Sequence, residues 1–504
     1  MATQPESIQI GVSRPALPLD DLPTPEEVFK SPQLDWKNII KYVLGPSMIA
    51  LGVSIGSGEW LLGPLAFAKY GFMGVGWLIT ISAILQTLYN MEVARFTVAT
   101  GEVPSVAFMR LPPGKALWVP LTLIIIYLGW VWGGWASSAG QSLYALIAGQ
   151  APNMKDATQL ETVRLIGIGL MVLSFIMYLF GKKIERTLEI FNTFAVWFVL
   201  AFVIIVAIAI VPLTEWGTAL ASAIIPASIP KGMDVTLLGA IIGYTGFGAG
   251  FNFMLINYYR DKGYGMGHKV GFIAGLIGGD KSEVKTSGVT FRENEKNTKQ
   301  WNRWWRFLAM DQWGVFFIGA MLGMFIPSLM VAHLATSPGA AEASSANMPV
   351  YAATELGRLY GPWLFYVTLA VGAFTLFKTQ ATILEMLIRN TADAAYSMFP
   401  KLHEWTGGDM RKFYYPVALA FVIVIGIIIH LALPTELLKI SANMANFAAI
   451  IFPAAMIYLN SKLPKPAKAP WWSTVALIIN VLFFGFFFVN FLVVFTTGNP
   501  LIKF

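Results

Sequence analysis

Apolar residues run along this chain in long unbroken blocks, not in the alternating or 3.6-spaced patterns of a half-buried strand or helix. Eleven blocks lie at roughly 43–67, 72–93, 117–147, 162–181, 188–212, 235–258, 308–333, 361–388, 414–433, 440–459 and 471–496. Each is close to or above the ~20 residues that cross a bilayer as a helix. The pattern predicts an all-α polytopic membrane protein with about eleven transmembrane helices. The first block is unusual, because Leu44–Trp60 reads LGPSMIALGVSIGSGEW and sets Gly56, Ser57 and Gly58 between two apolar halves, with Glu59 directly after them. Glycine costs about 1 kcal/mol relative to alanine inside a helix, and non-helical backbone at membrane depth persists only inside protein or beside a watery cavity. The span is therefore predicted to unwind at Gly56–Glu59, with Glu59 meeting a substrate, an ion or a proton. The competing reading is a carboxyl kept neutral by burial or paired with Lys378.

The sixth block repeats the feature. Gly239–Tyr259 reads GAIIGYTGFGAGFNFMLINYY, interrupted at Gly246, Gly248 and Gly250. Spans one and six are five apart, and an odd number of spans inverts the second copy, which is the arrangement of a 5+5 inverted-repeat transporter with a midplane site. Its divisions are a polar leader over 1–42, a first repeat over 43–212, a second over 213–459 with a cytoplasmic loop at 260–306, and a last span with its tail over 460–504. The predicted substrate site comprises Gly56, Ser57 and Glu59 from span one with Tyr244, Phe247 and Gly248 from span six. Close helix packing by small residues would also place glycines here.

Composition narrows the class. With 56% hydrophobic and 12% charged residues, 504 residues cannot form a soluble single-core protein. The net charge of +7 sits in loops, where it sets topology, so no nucleic-acid partner is implied. Only Lys69, Lys155, Arg164, Lys231, Arg358, Lys439 and Lys503 fall on the outer side if the leader is inside, and Lys378 alone of the basic residues falls within a span. That bias puts the N-terminus in the cytoplasm and the C-terminus outside, in what is expected to be a bacterial plasma membrane. The chain has no cysteine, which excludes disulfides and thiolate metal sites. Its four histidines, His268, His333, His403 and His430, belong to no HExxH, GxSxG or P-loop pattern, so neither an enzyme nor a bound cofactor is expected. No pore-lining signature of a channel is present.

Several short motifs carry a family resemblance. LGPSMIALGVSIGSGEW, the KYG of Lys69–Gly71, ATGE at Ala99–Glu102, KKIER at Lys182–Arg186 and KGYG at Lys262–Gly265 resemble the Nramp divalent-metal transporters. The resemblance implies a LeuT-type fold. In that family an Asp and an Asn of span one, with a backbone carbonyl and a Met of span six, hold the metal. Here those places fall on Gly56, Glu59, Tyr244 and Phe247. One carboxylate remains and the thioether is gone, which removes the preference for Mn²⁺ or Fe²⁺ over Mg²⁺ or Ca²⁺. The family's acidic residues of span three fall near Gly134 and Ser137, and its span-six histidines on Ala249 and Met254. If a proton is coupled, Glu59 is the simplest carrier, and it is also the one candidate ligand for a metal. Arg411 and Lys412 resemble the family's basic pair.

Three further groups bear on the site. Lys378 lies in span eight with Glu385 two turns on, either standing in for a coupling cation or serving as a structural charge. Trp130, Trp132 and Trp135, with Tyr244, Phe247 and Trp60, offer aromatic faces that would suit an organic cation beside Glu59. Asn443 and Asn446 are placed near the site or, alternatively, bridge helices. Within the 260–306 loop, Trp301, Trp304 and Trp305 read as interfacial anchors. A small cation is thus the expected substrate, with a small organic amine or amino acid, or a receptor that binds without transport, as alternatives.

Overall fold

The computed structural model describes residues 29–56, 58–179, 184–248, 250–269, 288–335 and 348–504. All regular structure among them is helical. In chain order the α-helices of eight or more residues are α1 (Trp36–Val43), α2 (Pro46–Ser54), α3 (Gly63–Tyr70), α4 (Gly76–Thr100), α5 (Lys115–Trp130), α6 (Gly134–Ala148), α7 (Ala157–Leu179), α8 (Ile184–Ile210) and α9 (Leu213–Ile224). The second half continues with α10 (Val235–Tyr244), α11 (Asn252–Asp261), α12 (Glu295–Ala309), α13 (Ile318–Leu334), α14 (Met348–Tyr360), α15 (Pro362–Met398), α16 (Arg411–Ile428), α17 (Pro434–Ser461) and α18 (Trp471–Thr497).

Among the described residues, eight helical stretches are long and apolar enough to cross a membrane: Lys115–Ala148, Ala157–Leu179, Ile190–Ile210, Glu295–Leu334, Pro362–Met398, Arg411–Ile428, Pro434–Ser461 and Trp471–Thr497. Two more crossings are split, α2 with α3 and α10 with α11. The eleventh, α4, spans 25 residues and buries the polar side chains Gln86, Asn90, Glu92 and Arg95 inside the protein. All eleven predicted blocks coincide with helices among the described residues.

Both predicted breaks are present. α2 starts with Pro46 at its first turn, where a missing N–H costs nothing, and stops at Ser54. The chain resumes as a π-helical turn, Gly58–Leu62, that leads into α3. Glu59 therefore stands in the first turn of the second half-helix and not in the unwound stretch itself. α10 is capped by Asp234, which accepts from Thr236 N at 2.9 Å and Leu237 N at 3.2 Å, and stops at Tyr244. Beyond it Gly246 has φ 82° and Gly250 φ 92°, conformations a side chain would strain, and helix resumes at Asn252 as α11. The half-helices pack crosswise: α10 lies against the π turn and α3, and α11 lies against α2.

Two features differ from the expectation. Span three is not continuous, since α5 ends at Trp130 and α6 begins at Gly134 after Gly133 takes a left-handed turn. Span seven begins far earlier than 308, because Asn294 caps α12 by accepting from Asn297 N at 2.7 Å. From there helix runs through a π-helical segment, Met310–Phe317, into α13. The later part of the 260–306 loop is thus helix, and 270–287 lie outside the described residues. Trp301 and Trp304 are buried and do not anchor at a lipid interface. Trp301 stacks on Phe29 and Phe291, and Trp304 packs on Tyr42 and Tyr264 and donates to Lys30 O at 2.9 Å.

Candidate functional site

At the first break Ile55 N still bonds Leu51 O at 2.8 Å, Gly56 N turns back to Ser54 O at 2.6 Å, and Trp60 N reaches Gly56 O at 3.0 Å. Glu59 is fully buried there. Its Oε1 accepts from Ser54 Oγ at 2.6 Å, whereas its Oε2 has no hydrogen-bond partner. α13 covers it from one side, where a Cβ on Gly323 would come within 3.3 Å of Glu59 Cγ. Ser57 lies outside the described residues. Trp60 is buried with its indole N–H unpartnered, close to Gly372 of α15.

Lys378 is also fully buried, and it interacts with the charge of Glu59 while its hydrogen bonds go elsewhere. Its amine donates to the carbonyls of Gly52 and of Ile55, the latter at 2.8 Å. These belong to the last turn of α2, where carbonyls have no helical partner and the helix dipole is negative. An amine from span eight thus caps the first half-helix. Glu385, two turns on, serves another neighbour. Its Oε2 accepts from Tyr258 OH at 2.9 Å and its Oε1 from Arg389 Nε at 2.5 Å.

Three of the aromatic residues singled out in the sequence come together. Trp130 stacks on Trp135 with centroids 5.6 Å apart and on Tyr244 at 5.7 Å, so the breaks of spans three and six share an aromatic cluster. Tyr244 OH donates to Ser441 Oγ at 2.5 Å, and Ser441 donates on to Gly129 O. Gly248 passes close to this cluster, a Cβ there meeting Trp130 at 3.1 Å. Trp132 turns away and donates to Leu128 O at 2.5 Å. Phe247 packs on Phe316 of the span-seven π segment at 4.9 Å. Asn443 is not at a break: its amide donates to Thr236 O at 3.0 Å and Lys439 O at 2.9 Å. With Asn446, which donates to Gly239 O at 3.0 Å, it ties α17 to α10 as a helix bridge.

Two buried polar groups escaped the sequence reading. Asp311, at the start of the span-seven π segment, accepts from Ser47 Oγ at 2.6 Å and from Tyr259 OH, and Gln312 Nε2 donates to Ser47 Oγ at 3.0 Å and Tyr259 OH at 2.8 Å. Spans one, six and seven meet in this knot. Beside it, Arg389 of α15 holds Glu385 and Asp261, and Arg260 holds Asp261 at 2.9 Å and Asp393 at 3.3 Å, all nearly or fully buried. Asp311 already falls within the predicted 308–333 span, which is the signal that could have found it.

No family model and no curated protein matches the sequence. Solved structures do. A manganese transporter of Eremococcus coleocola, in complex with an aromatic bis-isothiourea substituted compound, is similar at 15% identity with a TM-score of 0.60, over 95% of this chain and 93% of that one. Mhp1, a nucleobase-cation-symport-1 family transporter in a closed conformation with bromovinylhydantoin bound, is similar at 13% identity with a TM-score of 0.53, over 94% and 92%. The chain has a LeuT-type fold.

Proposed function

We propose that this protein is a secondary transporter that carries a small cation through the space between its two broken helices, with Glu59 as the binding group. The observation that carries this reading is the unpartnered Oε2 of Glu59, fully buried at the break of span one. A buried carboxylate oxygen left without a donor is costly unless a ligand or proton completes it. The division into repeats over 43–212 and 213–459, a cytoplasmic N-terminus and an outer C-terminus in a bacterial plasma membrane belong to the same proposal. The positive-inside bias and the matching breaks support them.

A high-affinity Mn²⁺ site does not suit this chemistry. Among the described residues no group of three or more His, Cys, Asp or Glu could hold a metal ion, and Phe247 offers no sulfur. A second reading, a small amine or amino acid, is favoured by the stacked Trp130, Trp135 and Tyr244, whose faces suit an organic cation. Calorimetric titration of the purified protein with Mn²⁺, Mg²⁺, simple amines and amino acids separates the two. Binding of Mg²⁺ or of an amine supports the one-carboxylate site, tight Mn²⁺ binding overturns the ligand argument, and binding without flux in liposomes marks a receptor.

A further inference from the structure

α2 is held at both ends by polar groups borrowed from other spans. At its end stand the Gly52 and Ile55 carbonyls with the Lys378 amine. At its start stands Asp311, whose Oδ1 faces Ser47 N at 3.4 Å while its Oδ2 takes the Ser47 hydroxyl at 2.6 Å. A negative group at a helix start and an amine at its end both complement the helix dipole. Every donor to Asp311 is neutral: Ser47, Tyr259 and Gln312.

The ionisable groups on the elements packed around Asp311 are otherwise engaged or turned outward. On α4, Glu92 and Arg95 pair at 2.9 Å. On α11, Arg260 and Asp261 belong to the Arg389 and Asp393 network. Lys37, Lys41 and Arg306 are exposed, Arg303 is half-exposed, Tyr264 donates to Tyr42 O at 2.5 Å, and the Lys262 amine lies against Gly45. One acceptor in the knot has no donor, since Gln312 Oε1 is buried and unpartnered. A proton added to Asp311 supplies a hydroxyl next to it.

We infer that Asp311 is a proton-binding site that latches the start of α2: ionised, it holds the Ser47 turn, and protonated, it turns its hydroxyl to Gln312 and releases that turn. The inference rests on the transporter reading only in that release opens the path from Glu59 to the leader side. The proton comes from water on that side and goes onto the carboxylate, with no other bond changed.

The chain has no cysteine, so Leu44→Cys and Lys401→Cys, both at exposed positions, can carry a pair of spin labels whose separation is read by pulsed electron resonance without substrate. In the otherwise native protein the longer separation is expected to gain population by about five- to tenfold between pH 8 and pH 5. Asp311→Asn is expected to show the longer separation at both pH values, and Glu59→Gln to keep the native pH response. Should Asp311→Asn fail to fold, Ser47→Ala removes one arm of the latch and is expected to raise the longer separation at pH 8. An unchanged distribution in Ser47→Ala, a pH response that survives Asp311→Asn, or one that vanishes in Glu59→Gln each overturns the inference. Loss of flux with an intact pH response would count against transport and leave the latch standing.

Discussion

Glu59 and Glu385 are both glutamates on membrane-spanning helices and both fully buried, yet their surroundings are opposite. Glu385 has each oxygen engaged, one by Arg389 and one by Tyr258, inside a network whose charges alternate across α11 and α15. Glu59 has one oxygen on a hydroxyl and one on nothing. A saturated buried carboxylate is part of what holds the helices together, whereas an unsaturated one is maintained at a cost that packing alone does not repay. Burial by itself does not distinguish the two residues; the count of partners does.

The sharpest way to break that contrast is to remove Arg389. Arg389→Met leaves Glu385 buried without its cation and takes from Asp261 one of its two arginines, and the loss is expected to reach about 3–5 kcal/mol, enough to abolish a monodisperse peak in size-exclusion chromatography of the detergent-solubilised protein. A well-folded variant would mean that the network is dispensable. Glu59→Gln is the counterpart. Uptake into proteoliposomes is expected to fall by about tenfold or more, equivalent to ~1.4 kcal/mol, with the melting temperature kept, because the Lys378 amine retains its carbonyl acceptors. A large drop in melting temperature with flux preserved would make Glu59 structural after all. Lys378→Met is expected to lie between them, destabilising by roughly 1–3 kcal/mol through the uncapped Gly52 and Ile55 carbonyls, as thermal unfolding would report. The smallest effect belongs to Asn443→Ala: about 1 kcal/mol of stability for its two carbonyl bonds, with the half-saturation concentration for uptake unchanged. A shifted half-saturation would return Asn443 to the substrate site.

The breaks of spans one and six were legible because glycine at mid-span is a local conflict between composition and helix, visible without any partner. Gly133 and Gly134 carried the same signal in span three, but the surrounding apolar run was long enough to read as one crossing. Which side chain meets which was much less legible. Lys378 and Glu59 are the nearest thing to an intramembrane pair in the sequence, and the crossing of α15 over α2 instead delivers the amine to backbone carbonyls. Asn443 was misplaced for the same reason: α17 reaches Tyr244 through Ser441, while Asn443 meets α10 nearer its start, at Thr236. Asp311 was passed over because a polar residue near a predicted span end reads as a flank until helix is found to begin sixteen residues earlier, at Glu295.

The capping of α2 by Lys378 also has an electrical meaning. The amine is covalently part of span eight, so whatever charge it carries stays with the protein and returns with it at the end of each cycle. No ion needs to dissociate from the end of α2 on either side of the membrane. In a transport cycle the net charge moved is then that of the substrate together with any coupled proton. A monovalent cation would therefore feel a membrane potential as about 2.3 kcal/mol per 100 mV, and a neutral solute carried alone would not feel it at all.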